Sequence, residues 1–576
     1  MTYVYNDPAE FKNDVLKGFA AAYPQYVSRV EGASGFTRAG GPLEGKVSLV
    51  IGGGSGHYPS YNGVVGTGFA DGAVLGDLFA SPSAEQVYRI AKAAHGGAGV
   101  VFGFGNYAGD RLNFGVAGDR LRAEGIDTRI VYVTDDIASA ARNEQGKRRG
   151  IAGTFTVYKI AAAAAEDGAN LDEVERVMIK ANAATYSFGV AFAGCTMPGA
   201  DQPLFIVEPG QMAFGLGIHG EPGISSAPWM NAKDLATKLV QTVLAERPDE
   251  ATGRAAVLVN GLGATKYEEL YALFGDVAEL LQAAGVVLVE PEVGELVTSL
   301  DMAGCSLSIT WLDEQLEGYW VAPADTPAFR RGTAQPSQRF ITRRTVTEDA
   351  GDHVVDAASE ESIVAAAIAR DLLRALSETV ERHKDFLGKL DAVAGDGDHG
   401  IGMSRGAKAA AQAAVQTEGG AQTVLAAAGA AFGDKAGGTS GILWGMLIDG
   451  VGKALGNMEA VTAERLAEAV QQSATNLKSF SKAELGDKTM LDALFPFVDT
   501  LVSEVRGVAS LDRAWRTAAE ACVAAAEATA SLIPRIGRAR PLAERSVGTP
   551  DPGATSLGLI ATALGDVFAQ HAQRPR

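Results

Sequence analysis

The feature that most constrains the fold is a change of hydrophobic rhythm near residue 323. Before it, short β-branched runs alternate with helical patterns; after it, the strand signal stops. The runs "KVSLVIGG", "GVVFGF", "TRIVYVTDD", "LFIVEPG", "AAVLVNGLG", "GVVLVEPE" and "SLSITWLD" predict βαβ units around a largely parallel sheet. Downstream, "SIVAAAIARDLLRALSETVERHKDFLGKL", "TAERLAEAVQQSATNLKSF" and "LDRAWRTAAEACVAAAEATASLI" repeat apolar residues every three and four positions, the period of helices that bury one face. The chain therefore reads as an α/β region over 1–322 and an all-α domain over 358–576. Between them, "PADTPAFRRGTAQPSQRFITRRTVTEDAGD" has no sustained period, so 323–357 reads as a linker. A polar break, "ERPDEATGR", near 246–255 divides the α/β region into two lobes on this reading.

A chain of 576 residues is too long for one core. Its 70 glycines exceed the ordinary share of about 7%, which predicts backbone held in positive φ or pressed close to a ligand. A net charge of −19 repels a phosphate polyanion at long range, so nucleic acid is an unfavoured partner and any phosphate must be held locally, by amides or metal. Cys195, Cys305 and Cys522 are widely spaced, with no CxxC motif, and read as reduced thiols without a catalytic role. The start "MTYVYNDPAEFKNDV" carries acids where a signal peptide would carry a basic start, and no run of eighteen apolar residues follows. The expectation is a cytoplasmic protein with no membrane partner.

The densest polar constellation is "LDAVAGDGDHGIGMSRG", where Asp391, Asp396 and Asp398 fall within eight positions among Gly395, Gly397 and Gly400. Hard cations such as Mg²⁺ take oxygen ligands of this kind and leave places for phosphate oxygens. The competing reading is a solvated acidic turn or a calcium loop, although EF-hand spacing is not met. "GDKAGGTSG" offers backbone amides and the hydroxyls of Thr439 and Ser440 at a helix start, a suitable phosphate cradle. "GDKTMLDA" and "SVGTPDPGATS" add Asp487, Thr489 and Asp551. No G-x-x-x-x-G-K-[ST] sequence occurs, so a bound nucleotide is not held by a P-loop.

In the α/β region, "LVIGGGSGHYPSYNG" runs from a strand into Gly53, Ser55, Gly56 and His57, and "NYAGDRLNF" places Asp110 and Asn113 after the strand "GVVFGF". Both lie where open α/β sheets collect ligands, at the carboxyl ends of strands. "FGLGIHGEPG" sets His219 among four glycines, either exposed for chemistry or incidental. His57, His219 and His399 each have a glycine neighbour; for any one of them a hydrogen-bonded structural histidine is the competing reading.

The ordered set "GGGSGH", "NYAGD", "GIHGEPG", "NGLGAT", "TSLDMAG", "GDGDHG", "GGTSG", "DKTMLDA" and "DPGATS" resembles the single-chain, ATP-dependent dihydroxyacetone kinases, over nearly the whole chain except the linker. The resemblance implies a ketose-binding α/β domain fused to an ATP-binding barrel of helices, in a homodimer. It implies that His219 adds through its ring nitrogen to the substrate carbonyl, giving a covalent hemiaminal. Gly53, Ser55 and Gly56 would line the ketose, His57 would hydrogen-bond it, and Asp110 would take the proton of the attacking hydroxyl. Asp391, Asp396 and Asp398 would hold two Mg²⁺ ions on the ATP phosphates. His399, Gly438, Thr439 and Ser440 would contact phosphate, with Asp487, Thr489, Met490, Arg538, Asp551 and Gly553 closing the nucleotide site. A phosphotransferase-system form, a non-catalytic sensor and an FAD-cyclising side activity are the other readings the resemblance leaves.

Several positions depart from the family's pattern. Tyr58 follows "GSGH" where glutamate is usual, Ala213-Phe214 precede "GLGIH" in place of Glu-Leu or Glu-Phe, Tyr158 replaces a usual histidine, and Gly105 replaces lysine. This predicts a reshaped pocket that admits a ketose one carbon longer, such as D- or L-erythrulose, with Tyr58 or Tyr158 as the partner of the added hydroxyl. Drift within an ordinary dihydroxyacetone kinase is the alternative.

Overall fold

Two mixed sheets organise the strand-rich part of the chain in this computed structural model, which describes residues 4–332, 357–536 and 543–573 apart from positions 222, 396 and 508. The first sheet contains β1 (Val27–Arg29), β2 (Gly35–Arg38), β3 (Ser48–Ser55), β4 (Gly72–Leu78), β5 (Val100–Gly105) and β6 (Thr128–Val133), in the order β1-β2-β4-β3-β5-β6. Its four strands β4, β3, β5 and β6 are parallel, and β1 and β2 add antiparallel at one edge. β3 and β5 are buried along their whole length, as parallel strands covered on both faces must be. Helix α1 (Phe11–Ala22) sends Leu16 and Phe19 into the core on one side. On the other side, α2 (Ala84–Ala94) and α3 (Ala108–Ala123) pack on Val50, Val100 and Phe102. The first side is closed mainly by α4 (Thr154–Glu166) and α5 (Leu171–Ala183), which pack on Leu49, Ile51 and Val101.

The second sheet contains β7 (Thr185–Ala193), β8 (Gln211–Phe214), β9 (Ser225–Pro228), β10 (Arg254–Gly261), β11 (Val287–Leu288), β12 (Glu292–Gly294) and β13 (Ala303–Trp311). Its order is β11-β10-β13-β7-β8-β9, with β12 also beside β10. Only the pairings of β10 with β11 and β12 are parallel; the rest are antiparallel. The largely parallel sheet expected from the βαβ rhythm is thus confined to four strands. Helices α6 (Ala232–Leu244) and α7 (Tyr267–Ala283) cover one face. The break between the sheets lies between Val133 and Thr185, not at 246–255: "ERPDEATGR" is the connection from α6 to β10. "LFIVEPG" forms no strand; Pro203 precedes it, Pro209 interrupts it, and Ile206 is exposed.

After α8 (Glu314–Trp320), β14 (Ala324–Asp325) and β15 (Arg330–Arg331) pair as a ribbon. The Phe329 ring packs edge-on against Phe69 and Phe155 at 5.8 and 5.2 Å. Residues 323–332 therefore belong to the first folded body, although their lack of periodicity reads as linker. The remainder of that stretch, 333–356, lies outside the described residues.

The chain divides into two units, Met1–Thr347 and Glu348–Arg576. The second contains α9 (Glu360–Asp391), α10 (His399–Gln416), α11 (Ala421–Ala436), α12 (Gly438–Leu455), α13 (Ala463–Ser481), α14 (Leu491–Arg506), α15 (Leu511–Ala528), the short α16 (Ala543–Ser546) and α17 (Pro552–Ala572), with no strand among its described residues. Each long helix packs on the next in sequence, and α17 packs back on both α15 and α9, closing a ring around Leu373, Phe432, Trp444, Leu494 and Trp515. Among the described residues, α17 is the helix long and apolar enough to cross a membrane, and half of that stretch is buried. Its Ile560 and Phe568 fill the ring's core, and the Ala561 carbonyl accepts a hydrogen bond from Trp515 Nε1 at 2.9 Å.

Candidate functional site

The His219 loop leaves the end of β8 and turns through Gly215 and Gly220, at φ of 75° and 81°, a region that glycine enters at little cost. At Gly217 the requirement is space, because a Cβ would run into the Glu221 carboxylate. That carboxylate folds back on the histidine: Oε2 accepts from the His219 backbone N–H and Oε1 lies against Nδ1, each at 3.0 Å. A carboxylate only accepts, so Nδ1 carries the hydrogen and a neutral His219 keeps its lone pair on Nε2. Arg149 anchors the arrangement, with Nη1 3.9 Å from Glu221 and Nε donating to Asp136 at 2.9 Å. Burial raises the Glu221 pKa, but the His219 and Arg149 charges outweigh it and hold the carboxyl well below its usual range.

His57, from the loop after β3, meets His219 with Nε2 to Nε2 at 3.1 Å and ring planes inclined 75°. Its Nδ1 lies 2.7 Å from the Thr298 carbonyl, which can only accept. With both Nδ1 atoms committed to acceptors, a hydrogen bond between the two Nε2 atoms needs one proton more than two neutral rings carry. Complete burial, then the His219 charge, pushes His57 down to about 3. Ser299 Oγ donates to the Ile218 carbonyl at 2.6 Å. Asn260 in turn holds the segment just before Thr298 by accepting from Leu296 N and Val297 N. The "NGLGAT" and "TSLDMAG" stretches thus hold the His219 loop through Ile218 and the His57 ring through Thr298.

Gly53 and Gly56 lie at the carboxyl end of β3. A Cβ on Gly53 would collide with the Tyr61 phenol, and one on Gly56 (φ 102°) would come 2.7 Å from the Phe79 ring. The Ser55 hydroxyl is directed to the Gly76 carbonyl, leaving its acceptor side for other contacts. Asp110 is buried in the first turn of α3, where the helix amino terminus favours an anion. Its charge adds to burial in pushing the Tyr61 phenol upward. Tyr107, from the same loop, stands edge-on to His219 at 4.6 Å. At Gly105 a Cβ would press on the Tyr107 ring at 2.9 Å, so the missing side chain there makes room for it.

In the second unit, Asp391 ends α9, and its Oδ2 accepts from the His399 backbone N–H at 3.3 Å. Asp398 is the residue that precedes α10. The buried His399 ring lies between Ser556 Oγ at 3.1 Å on Nε2 and Ser440 Oγ at 3.3 Å on Nδ1. Gly437 and Gly438, at φ of 64° and 58°, set the start of α12, where Thr439 is exposed. Asp487 is buried and accepts from Glu484 N at 2.8 Å, and the Thr489 N–H donates to Asp492 at 2.7 Å. Asp551 caps α17 through Ala554 N at 2.7 Å, and Met490 packs 3.4 Å from where a Gly553 Cβ would stand. Asp391, Gly395, Lys488, Ser546, Thr549 and Asp551 line one cleft. Burial first, then Asp492 and Asp391, push Asp551 up to about 7. Such converging oxygen donors under mutual repulsion fit a hard cation, although the described residues form no cluster of three or more metal-capable side chains. Asp396 and Arg538 lie outside the described residues.

The structure separates the pocket positions singled out by the family's pattern. Phe214 is fully buried in the second sheet's core, stacked on Phe188 at 6.2 Å with Lys238 over its ring, so it does not line the His219 loop. Tyr58 is 44% exposed, whereas Tyr158 is wholly buried near Asp110 and Tyr61. The three cysteines are buried free thiols, pushed upward by burial. The sequence reading does not single out Glu221, Arg149, Asp136, Ser556 or Lys488. For Lys488 a signal existed, a lone cation within "GDKTMLDA"; Arg149 sits in an ordinary basic run, "GKRRG".

Comparisons with known proteins identify the family. The Dak1 domain family matches residues 17–328 and the DAK2 domain family matches residues 393–566. A D-erythrulose kinase of Mycolicibacterium smegmatis is 52% identical over 572 residues, covering 98% of this chain and 98% of its own. An L-erythrulose kinase of Pectobacterium atrosepticum is 49% identical over 575 residues, covering 99% of this chain and 97% of its own. The crystal structure of the Citrobacter freundii dihydroxyacetone kinase in complex with AMP-PNP and Mg²⁺ superposes with a TM-score of 0.53 at 30% identity, over 98% of this chain and 99% of that one. Carrying both domains in one chain, the protein belongs to the dihydroxyacetone kinase family and is a phosphotransferase acting on an alcohol.

Proposed function

We propose that the protein transfers the γ-phosphate of ATP to a terminal hydroxyl of erythrulose, held as a hemiaminal on His219. The observation that carries the chemistry is the Glu221 lock on Nδ1 at 3.0 Å, which directs the nucleophilic lone pair to Nε2. Addition of Nε2 to the carbonyl carbon moves the π pair onto oxygen, which takes a proton from solvent as the Nδ1 hydrogen passes to Glu221, and the neutral hemiaminal fixes the ketose before transfer. It also excludes glycerol, which has no carbonyl. Asp110 accepts the proton of the attacking hydroxyl. ATP is held by the second unit, where Asp391, Asp396 and Asp398 would hold two Mg²⁺ ions, with His399, Ser440 and Lys488 beside the phosphates. The metal, when bound, offsets negative charge on the phosphates. Similarity of about half the residues, over nearly full length, to kinases named for each erythrulose enantiomer supports the four-carbon substrate. The test is kcat/KM for D-erythrulose, L-erythrulose and dihydroxyacetone: one erythrulose is expected to lead, and a clear preference for the three-carbon ketose would refute the substrate assignment.

A further inference from the structure

His399 opens α10, Ser440 stands in the first turn of α12 and Ser556 in the second turn of α17, so one imidazole joins three helices near their amino ends. The ring is 7% exposed and Ser556 only 1%. Ser556 Oγ lies 2.9 Å from the Gly553 carbonyl, which can only accept. The single hydroxyl hydrogen of Ser556 therefore goes back along its own helix, a common course for serine. Toward His399 Nε2, at 3.1 Å, Ser556 has lone pairs alone to offer, so Nε2 carries a hydrogen. The Pro552 carbonyl acts on the ring too, and it likewise only accepts. Among the described residues the two ring nitrogens meet hydroxyls and no carboxylate, and an enclosed imidazole in that setting is neutral. Nδ1 is then a lone pair, and Ser440 Oγ, 3.3 Å away, donates to it. The chain runs from Ser440 to His399 to Ser556 to the Gly553 carbonyl, with one hydrogen for every link.

We infer that Ser556 is a positioning residue of the nucleotide site: by accepting from Nε2 it holds His399 in the tautomer that draws the Ser440 hydroxyl onto Nδ1. The starts of α10, α12 and α17 are thereby tied into one array before ATP binds. The inference rests on the ATP-binding reading of this unit. Without the Ser556 hydroxyl, only the weaker pull of the Pro552 carbonyl keeps the hydrogen on Nε2. The first turn of α12 must then be ordered as the phosphates arrive, a cost that a preorganised site avoids.

The test is nitrogen NMR of the full chain labelled in histidine, with the His399 signals assigned by their loss in His399→Gln. The free wild-type protein should carry its proton on Nε2. In Ser556→Ala the Nδ1–H tautomer should gain share. The ATP Kd, read by fluorescent-nucleotide displacement, should rise roughly tenfold, the equivalent of one neutral hydrogen bond, with ketose affinity unchanged. Ser556→Thr keeps the hydroxyl and should retain both the tautomer and the affinity. Ser440→Ala should leave the proton on Nε2, because the tautomer is set from α17. A wild-type proton on Nδ1, a tautomer share unaltered in Ser556→Ala, or a shift in Ser440→Ala would each overturn the inference. Equal losses of ATP affinity in Ser556→Ala and Ser556→Thr would do the same. If the wild-type protein binds no ATP, the nucleotide reading fails and the inference with it; tight wild-type binding with the wrong tautomer overturns the inference alone.

Discussion

The two units treat charge in opposite ways. Around His219, the polar groups are paired in a chain within the protein: imidazole Nδ1 to Glu221, Glu221 to Arg149, Arg149 to Asp136. Around Asp391, carboxylates converge, and burial first, then the Asp492 and Asp391 charges, leave Asp551 raised to about 7. The difference teaches what each site awaits. A preorganised, internally neutralised array suits an uncharged carbonyl compound, for which nothing must be rearranged before bond formation. An array of mutually repelling oxygen donors is completed by the charge of what it binds.

Three substitutions would break or sharpen that contrast. The largest effect is expected for Asp391→Ala, which should lower ATP turnover on the order of a hundredfold or more while isothermal titration still detects ketose binding; loss of both would mean that the units' roles are misassigned. Glu221→Gln comes next. The amide can present N–H to Nδ1, so the tautomer lock and its charge are lost, and kcat/KM for ketose should fall roughly 10- to 100-fold. ATP affinity, read by fluorescent-nucleotide displacement, should remain unchanged. The smallest effect concerns stability. His57 titrates at about 3 in the folded chain, below the ordinary 6.5, so the unfolded chain binds more protons between those values. Its contribution is complete above about pH 6.5 and is lost as pH falls, by about 2 kcal/mol between pH 7 and pH 5. Calorimetric melting should show this loss in the first unit's transition, reduced in His57→Asn; an identical pH slope in the variant would contradict it.

The architecture was legible where burial left a simple period. The helical unit followed from its three-and-four rhythm, and β3, β5, β6, β10 and β13 followed from β-branched runs. β7, "TYSFGVAFA", escaped because it is buried on both faces and interrupted by Ser187 and Gly189. The antiparallel pairings were invisible because register is a tertiary property. At the site, glycine-flanked histidines and clustered aspartates signalled themselves locally. Arg149 and Asp136 did not, since their meaning comes from a fold that brings them to Glu221, more than sixty positions away. Tyr58 and Tyr158 were equivalent as letters; only burial distinguished them.

The central claim is that His219 binds the ketose covalently through Nε2, and carbon NMR of the full chain with erythrulose labelled at the carbonyl carbon tests it most directly. On binding, the ketone resonance should be replaced by that of a tetrahedral carbon bearing nitrogen and oxygen, and His219→Gln should abolish the new signal while leaving ATP binding intact. A bound ketose that keeps its carbonyl resonance in the wild-type protein, or a tetrahedral signal that survives in His219→Gln, would contradict the account.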